Sequence, residues 1–164
     1  MNSIQLEKNI SLSNFTTWGI GGPAEWIAQP KNIEELKYII NWTNKKKIPC
    51  SIIGAGSNLL INDKGIKGLS LCMRNFKGIQ INKNNGIIEV LSGEMLPTLA
   101  RKAAANGLHG FEWAVGIPGT IGGAVVMNAG AQEHCISSYL ESITTLSLTG
   151  CLLYTSDAAD DGLS

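Results

Sequence analysis

Apolar and polar positions along this chain repeat with two periods, one suited to strands and one to helices. Ala24–Ala28 is a short apolar-rich run bounded by Gly21, Gly22 and Pro23, which predicts a strand entered through a bend. From Ile33 the period lengthens, and Ile33, Leu36, Ile39, Ile40 and Thr43 share one helical face. Asn32 stands where an N-cap belongs, with Glu35 three residues on as its capping-box partner. Lys45, Lys46 and Lys47 suit the negative end of the helix dipole. Pro49–Ile53 then predicts a short buried strand, followed by the extended piece Leu59–Ile61 and a turn at Asn62–Gly65.

Between Gly65 and Ser92 the apolar runs are short: Leu69–Met73, Gly78–Ile81 and Ile87–Leu91. Asn84-Asn85-Gly86 supplies a hairpin turn between the last two. Pro97 marks the start of a second helix running to Asn106, with Leu96, Leu99, Ala100, Ala103 and Ala104 on one face and Gly107 as C-cap. Ser142–Leu148 alternates as a further strand, whereas residues 1–13 show little regular pattern and read as a loosely held arm. Short strands interleaved with two helices predict an α+β fold rather than a doubly wound sheet.

Composition narrows the function classes. The 164 residues suffice for one domain with a real core, or one domain plus part of another. Hydrophobic residues make up 44% and charged residues 16%, so the chain is expected to fold. All thirteen basic side chains, but only ten of the thirteen acidic ones, fall in residues 1–150. That mild excess argues against a nucleic-acid stripe and suits a phosphate-bearing small molecule. Cys50, Cys72, Cys135 and Cys151 form no C-x-x-C pair, and no secretory pattern opens the chain, which points to free thiols in a reducing cytoplasm. No apolar run is long enough to predict a membrane span.

Two glycine-rich stretches are the candidate binding elements. Gly116-Ile-Pro-Gly-Thr-Ile-Gly-Gly-Ala-Val-Val-Met-Asn-Ala-Gly130 carries five glycines in fifteen residues, and Pro118 stiffens its first turn. Gly54-Ala-Gly-Ser-Asn58 follows a predicted strand, where consecutive N–H groups are placed to cradle a diphosphate. Leu59 occupies the third glycine position of a Rossmann fingerprint, and no Gly-Lys-Ser/Thr occurs, so neither common nucleotide motif applies. Each stretch also reads as an ordinary tightly packed turn. His109 and His134 lie in no metal-ligand spacing, Ser57 in no nucleophile elbow, and His134-Cys135 lacks an orienting third group. No catalytic residue and no metal site is expected among these residues.

Three segments, Asn14-x-Thr-Thr-Trp-x-x-Gly-Gly-Pro-Ala24, Gly54-x-Gly-Ser-Asn-Leu-Leu-Ile61 and Gly116-Ile-Pro-Gly-Thr-Ile-Gly-Gly-Ala-x-x-Met-Asn-Ala-Gly-Ala131, together resemble the UDP-N-acetylenolpyruvoylglucosamine reductase family. Gly107-Leu-His-Gly-Phe-Glu112 resembles the segment before the third motif. The resemblance implies the FAD-binding part of a cell-wall enzyme, with the two-subdomain fold of the p-cresol methylhydroxylase/vanillyl-alcohol oxidase type, truncated before a substrate domain. It implies FAD as cofactor, NADPH as hydride donor and a UDP-sugar as substrate, in a cytoplasmic, monomeric enzyme. By motif matching, Gly54, Ala55, Gly56, Ser57, Asn58 and Leu59 hold the FAD diphosphate. Gly116, Ile117, Pro118, Gly119, Thr120, Gly122, Gly123, Ala124, Asn128 and Gly130 lie along diphosphate and isoalloxazine.

On this reading residues 1–13 form an arm, 14–66 a first subdomain and 67–150 an incomplete second one. The family's proton-donating serine, with an assisting arginine and glutamate, matches nothing here, so the chain is expected to be an inactive fragment. Tyr154 is followed by Thr155 and not by arginine. Residues 151–164 do not resemble the family and read as translated adapter sequence, or as a divergent natural end. Two other readings remain: another FAD-dependent oxidoreductase on the same fold, such as a sugar or hydroxy-acid oxidase, and a flavin-binding module without catalysis.

Overall fold

Leu6–Ser11 (β1) and Pro23–Ala28 (β2) pair antiparallel, from Leu6 opposite Ala28 to Ser11 opposite Pro23. Pro23 takes the first position of its strand, where a missing N–H is tolerated. The computed structural model describes residues 5–147 and the backbone of Leu152–Thr155. Residues 6–11 are thus part of the sheet, not of a loose arm. Asn9, at φ 55°, interrupts the alternation that would have announced the strand.

After β2 the chain enters the helix Ile33–Lys46 (α1) through the expected cap. Asn32 Oδ1 accepts from the Glu35 N–H at 2.9 Å, and the Glu35 carboxylate accepts from the Lys31 N–H at 2.8 Å. Lys47 ends the helix in the left-handed region. Leu36, Ile39 and Ile40 bury the apolar face against Ala28, Leu69, Leu71, Met73 and Phe76. Cys50–Ile53 (β3) follows at the sheet edge, and Ile66–Cys72 (β4) then inserts between β2 and β3, parallel to both. The opposite face is covered by Leu12, Ala24, Ile27, Ile53, Ile61 and Cys72. Covered on both sides, β4 is buried from Gly68 to Cys72, which is why its sequence shows no alternation. A subdomain boundary at 66/67 therefore falls inside β4, whose hydrogen bonds assign it to the first sheet.

The second half is built on a separate core. Ile79–Ile81 (β5) and Ile88–Val90 (β6) form a hairpin whose turn is closed by Gly86 N–H to Asn82 O at 2.9 Å. Leu96–Ala105 (α2) packs Leu96, Leu99 and Ala100 against Trp113, Ala114, Ile121, Ala124 and Ile136. A 3₁₀ turn, Glu112–Gly116, leads to a third helix, Ile121–Val126 (α3), which the pattern does not announce. Gly122 and Gly123 disfavour it intrinsically, but Thr120 caps it and Ile121 and Ala124 bury beneath it. Two short pairs follow, Gly130–Ala131 (β7) with His134–Cys135 (β8), and Ile143–Leu146 (β9) with Leu152–Thr155 (β10). Part of the segment expected to lie outside the fold thus supplies a strand. The rest of residues 151–164 lies outside the described residues.

The cap of α1 gives a direct test of the local reading. Asn32→Ala removes the acceptor for the Glu35 N–H, and is expected to cost about 1 kcal/mol in urea unfolding. An unchanged midpoint at an unchanged slope would show that the cap contributes nothing.

Candidate functional site

The first glycine loop leaves the carboxyl end of β3, a strand parallel to its neighbour, where α/β sheets place their ligands. Gly56 sits at φ 71°, and a Cβ there would lie 1.9 Å from Phe15 O. Its lack of a side chain is therefore demanded by the chain's own backbone, not by room for a ligand. Ala55 is buried, and Leu59 packs against the cluster of Leu12, Ile27 and Ile53.

The second glycine segment docks directly onto this loop. Ser57 Oγ donates to Pro118 O at 3.0 Å. A Cβ on Gly54 would lie 2.4 Å from Thr120 Oγ1, and one on Gly119 would face Ser57 Oγ at 3.5 Å. Thr120 is only 2% exposed, and its Oγ1 also accepts from the Gly123 N–H at 3.4 Å to cap α3. On the far side, Leu96 N–H donates to Gly119 O, Gly122 N–H to Ser92 O and Ile121 N–H to Glu94 O, all within 2.9 Å. The structure thus brings Gly54, Ser57, Pro118, Gly119, Thr120 and Gly123 to one place.

Other expected site residues are committed to packing. Ala124 and the half-buried Ile117 belong to the second core, and Gly122 fits against Ser92. Asn128, at φ 43°, accepts the Ser137 N–H on Oδ1 at 3.1 Å. Gly130 lies in β7, where a Cβ would strike His134 O. Gly116 faces open space, with nothing within 4 Å of a Cβ.

Two residues outside the expected cofactor-binding positions hold the first loop, Thr17 from the first motif and Arg74 from none. Arg74 donates through Nε to Gly54 O at 3.2 Å, through Nη2 to Ala55 O and through Nη1 to Asn14 O at 3.1 Å. Its guanidinium lies over the Phe15 ring, 5.7 Å from the centroid. Thr17 donates its N–H and its hydroxyl to Gly56 O. A lone arginine closing the apolar run Leu69–Met73 is the one sequence signal that would have pointed to Arg74. No carboxylate pairs with it among the described residues. The N–H groups of Ala55, Gly56, Ser57 and Asn58, and those of Gly119 and Thr120, make no hydrogen bond among the described residues. Free backbone donors beside a cation suit an anionic ligand such as a diphosphate, so these residues fit the FAD that the motifs imply.

The His134–Cys135 neighbours do not face each other. His134 Nδ1 meets Tyr139 Oη at 3.0 Å, within a group that includes Phe111 and Trp113. Cys135 Sγ lies 3.2 Å from Ser137 Oγ and 3.5 Å from Ser138 Oγ, and these hydroxyls bring its pKa down to about 7. Burial pushes the Cys50 and Cys72 thiols up instead.

Residues 24–156 match the family model described as an FAD binding domain. The chain belongs to the FAD binding domain family. Among curated relatives, the UDP-N-acetylenolpyruvoylglucosamine reductase of Prochlorococcus marinus (strain NATL2A) is 96% identical over 150 residues, which are 92% of this chain and 52% of that protein. The enzyme of the same name from Prochlorococcus marinus (strain MIT 9313) is 55% identical, over 92% of this chain and 49% of its own length. The chain therefore spans about half the length of the curated relatives it matches. Among solved structures, the UDP-N-acetylenolpyruvylglucosamine reductase of Thermus caldophilus superposes with a TM-score of 0.74 at 31% identity, over 93% of this chain and 53% of that one. The 6-hydroxy-D-nicotine oxidase of Arthrobacter nicotinovorans shares the fold, with a TM-score of 0.71 at 16% identity over 96% of this chain and 37% of that one. These neighbours bear out the α+β FAD-binding fold expected from the motifs. The family match also runs past residue 150, to residue 156.

Two glycines separate docking from mere flexibility. Gly54→Ala drives a methyl into Thr120 and is expected to cost about 1–3 kcal/mol, whereas Gly116→Ala stays within about 0.5 kcal/mol of the parent. Equal unfolding midpoints for the two variants would mean that the loops do not dock. Among the described cysteines, iodoacetamide is expected to label Cys135 first near neutral pH, at a rate that climbs through about pH 7 and then levels. Equal labelling of Cys50, Cys72 and Cys135 in the folded chain would contradict this.

Proposed function

We propose that this chain is the FAD-binding half of a UDP-N-acetylenolpyruvoylglucosamine reductase, and that its docked glycine segments hold the cofactor. Gly54–Asn58 receives the diphosphate, and Gly116–Gly123 runs along the diphosphate and the isoalloxazine. Ala124, Asn128 and Gly130 support that second segment from behind. The observation that carries the reading is the row of N–H groups at the carboxyl end of β3 that have no partner among the described residues, docked through Ser57 and Thr120 on the second glycine segment.

When bound, FAD supplies two-electron chemistry, with hydride taken from NADPH and delivered to the enolpyruvyl group of the UDP-sugar in peptidoglycan precursor synthesis. The residues of this chain contribute binding and orientation. Backbone donors screen the diphosphate charge without needing to reorganise, and the Gly54–Thr120 contact keeps the two segments in register. Protonation of the substrate is assigned to groups that match no position of this chain. No helix among the described residues is long and apolar enough to cross a membrane. We place the enzyme in the cytoplasm as a monomer.

FAD titration followed by flavin fluorescence is expected to show saturable one-to-one binding, with ADP competing. A folded chain that binds no FAD would overturn the proposal. The FAD-loaded chain by itself is expected to show no substrate-dependent NADPH oxidation, since general acid catalysis alone is worth about 10²–10⁴ in rate and orientation adds to it. Turnover near that of a full-length relative would place the proton donor within these residues.

A further inference from the structure

Three successive carbonyls of the first glycine loop are held from the protein side. Arg74 binds those of Gly54 and Ala55, and Thr17 binds that of Gly56 twice, at 3.2 and 3.3 Å. Both anchors belong to one neighbourhood, because Arg74 also bonds Asn14 O and covers the Phe15 ring. The described peptide bonds are all trans. In a trans peptide the C=O and the following N–H point in opposite directions. The N–H groups of Ala55, Gly56 and Ser57 are therefore turned away from Arg74 and Thr17, three in succession. Consecutive amides so aimed form a concavity for an anionic oxygen.

Building on the proposed placement of FAD, we propose that Arg74 is a positioning residue for the diphosphate. It acts through the loop, because Nε, Nη1 and Nη2 each donate to a backbone carbonyl, two of them carbonyls of the loop itself. A planar fork suits this task, since it holds adjacent carbonyls in fixed directions where an ammonium would hold one. The guanidinium also leaves a positive charge with no carboxylate partner among the described residues, directly behind the amides. Behind an anion site it strengthens the field that the amides create.

The test compares the parent chain with Arg74→Gln, Arg74→Lys and Thr17→Val, using FAD, ADP and riboflavin as probes. Arg74→Gln is expected to weaken FAD and ADP about tenfold or more, an effect comparable in size to one charge-assisted hydrogen bond, while riboflavin affinity holds. Arg74→Lys recovers part of the loss, by charge without the fork. Thr17→Val weakens ADP by a smaller factor and shrinks the shift that ADP induces in the Ala55, Gly56 and Ser57 amide resonances. If the parent binds neither FAD nor ADP, the cofactor placement fails and takes this proposal with it. If the parent binds both and a folded Arg74→Gln binds them equally well, Arg74 alone is refuted. Riboflavin affinity falling in parallel would reduce Arg74 to a structural clamp. Should Arg74→Gln not fold, an unchanged ADP affinity and unchanged amide shifts in Thr17→Val refute the proposal.

Discussion

Gly54 and Thr120 meet at a separation that leaves room for a hydrogen and nothing larger. That contact, with the Ser57–Pro118 hydrogen bond beside it, joins a sheet core to a helical core whose members are distant in sequence. Each partner is first fixed to its own half. Arg74 and Thr17 hold the carbonyls of Gly54, Ala55 and Gly56, while Leu96 holds that of Gly119. Loops joined only by their own flexibility would lose conformational entropy on every binding event. Loops tied to two packed cores have already lost it.

The candidate site is consequently a property of backbone, supported by a few side chains that face inward. Thr120 is buried, caps α3 and fills the space opposite Gly54, so one residue sets the helix start and the docking distance together. Gly56 answers to Phe15 and Gly122 to Ser92. A glycine in a binding motif therefore need not face the ligand. Here several of them let protein segments approach one another.

The α1 helix was legible because its whole specification is local: Asn32 and Glu35 at the start, apolar residues at helical spacing, lysines at the end. The same holds for α2 and for the hairpin of β5 and β6. The glycine loop after β3 was also legible, since strand, turn and side-chain donors are contiguous. The strand β1 was not, because its alternation breaks at Asn9 and its stability comes from pairing with β2. Nor was α3, whose glycines oppose a helix that capping and burial impose.

Periods, caps and turns, and the two glycine segments that carry the family resemblance, are written locally, because each depends on neighbours within a few residues. Only the folded arrangement inserts β4 between β2 and β3, sets Thr120 against Gly54, and brings Arg74 to the carbonyls of Gly54 and Ala55. Those outcomes rest on hydrogen bonds and contacts between residues roughly twenty to sixty positions apart. No local pattern encodes them, since a carbonyl carries no mark of the side chain that will come to hold it.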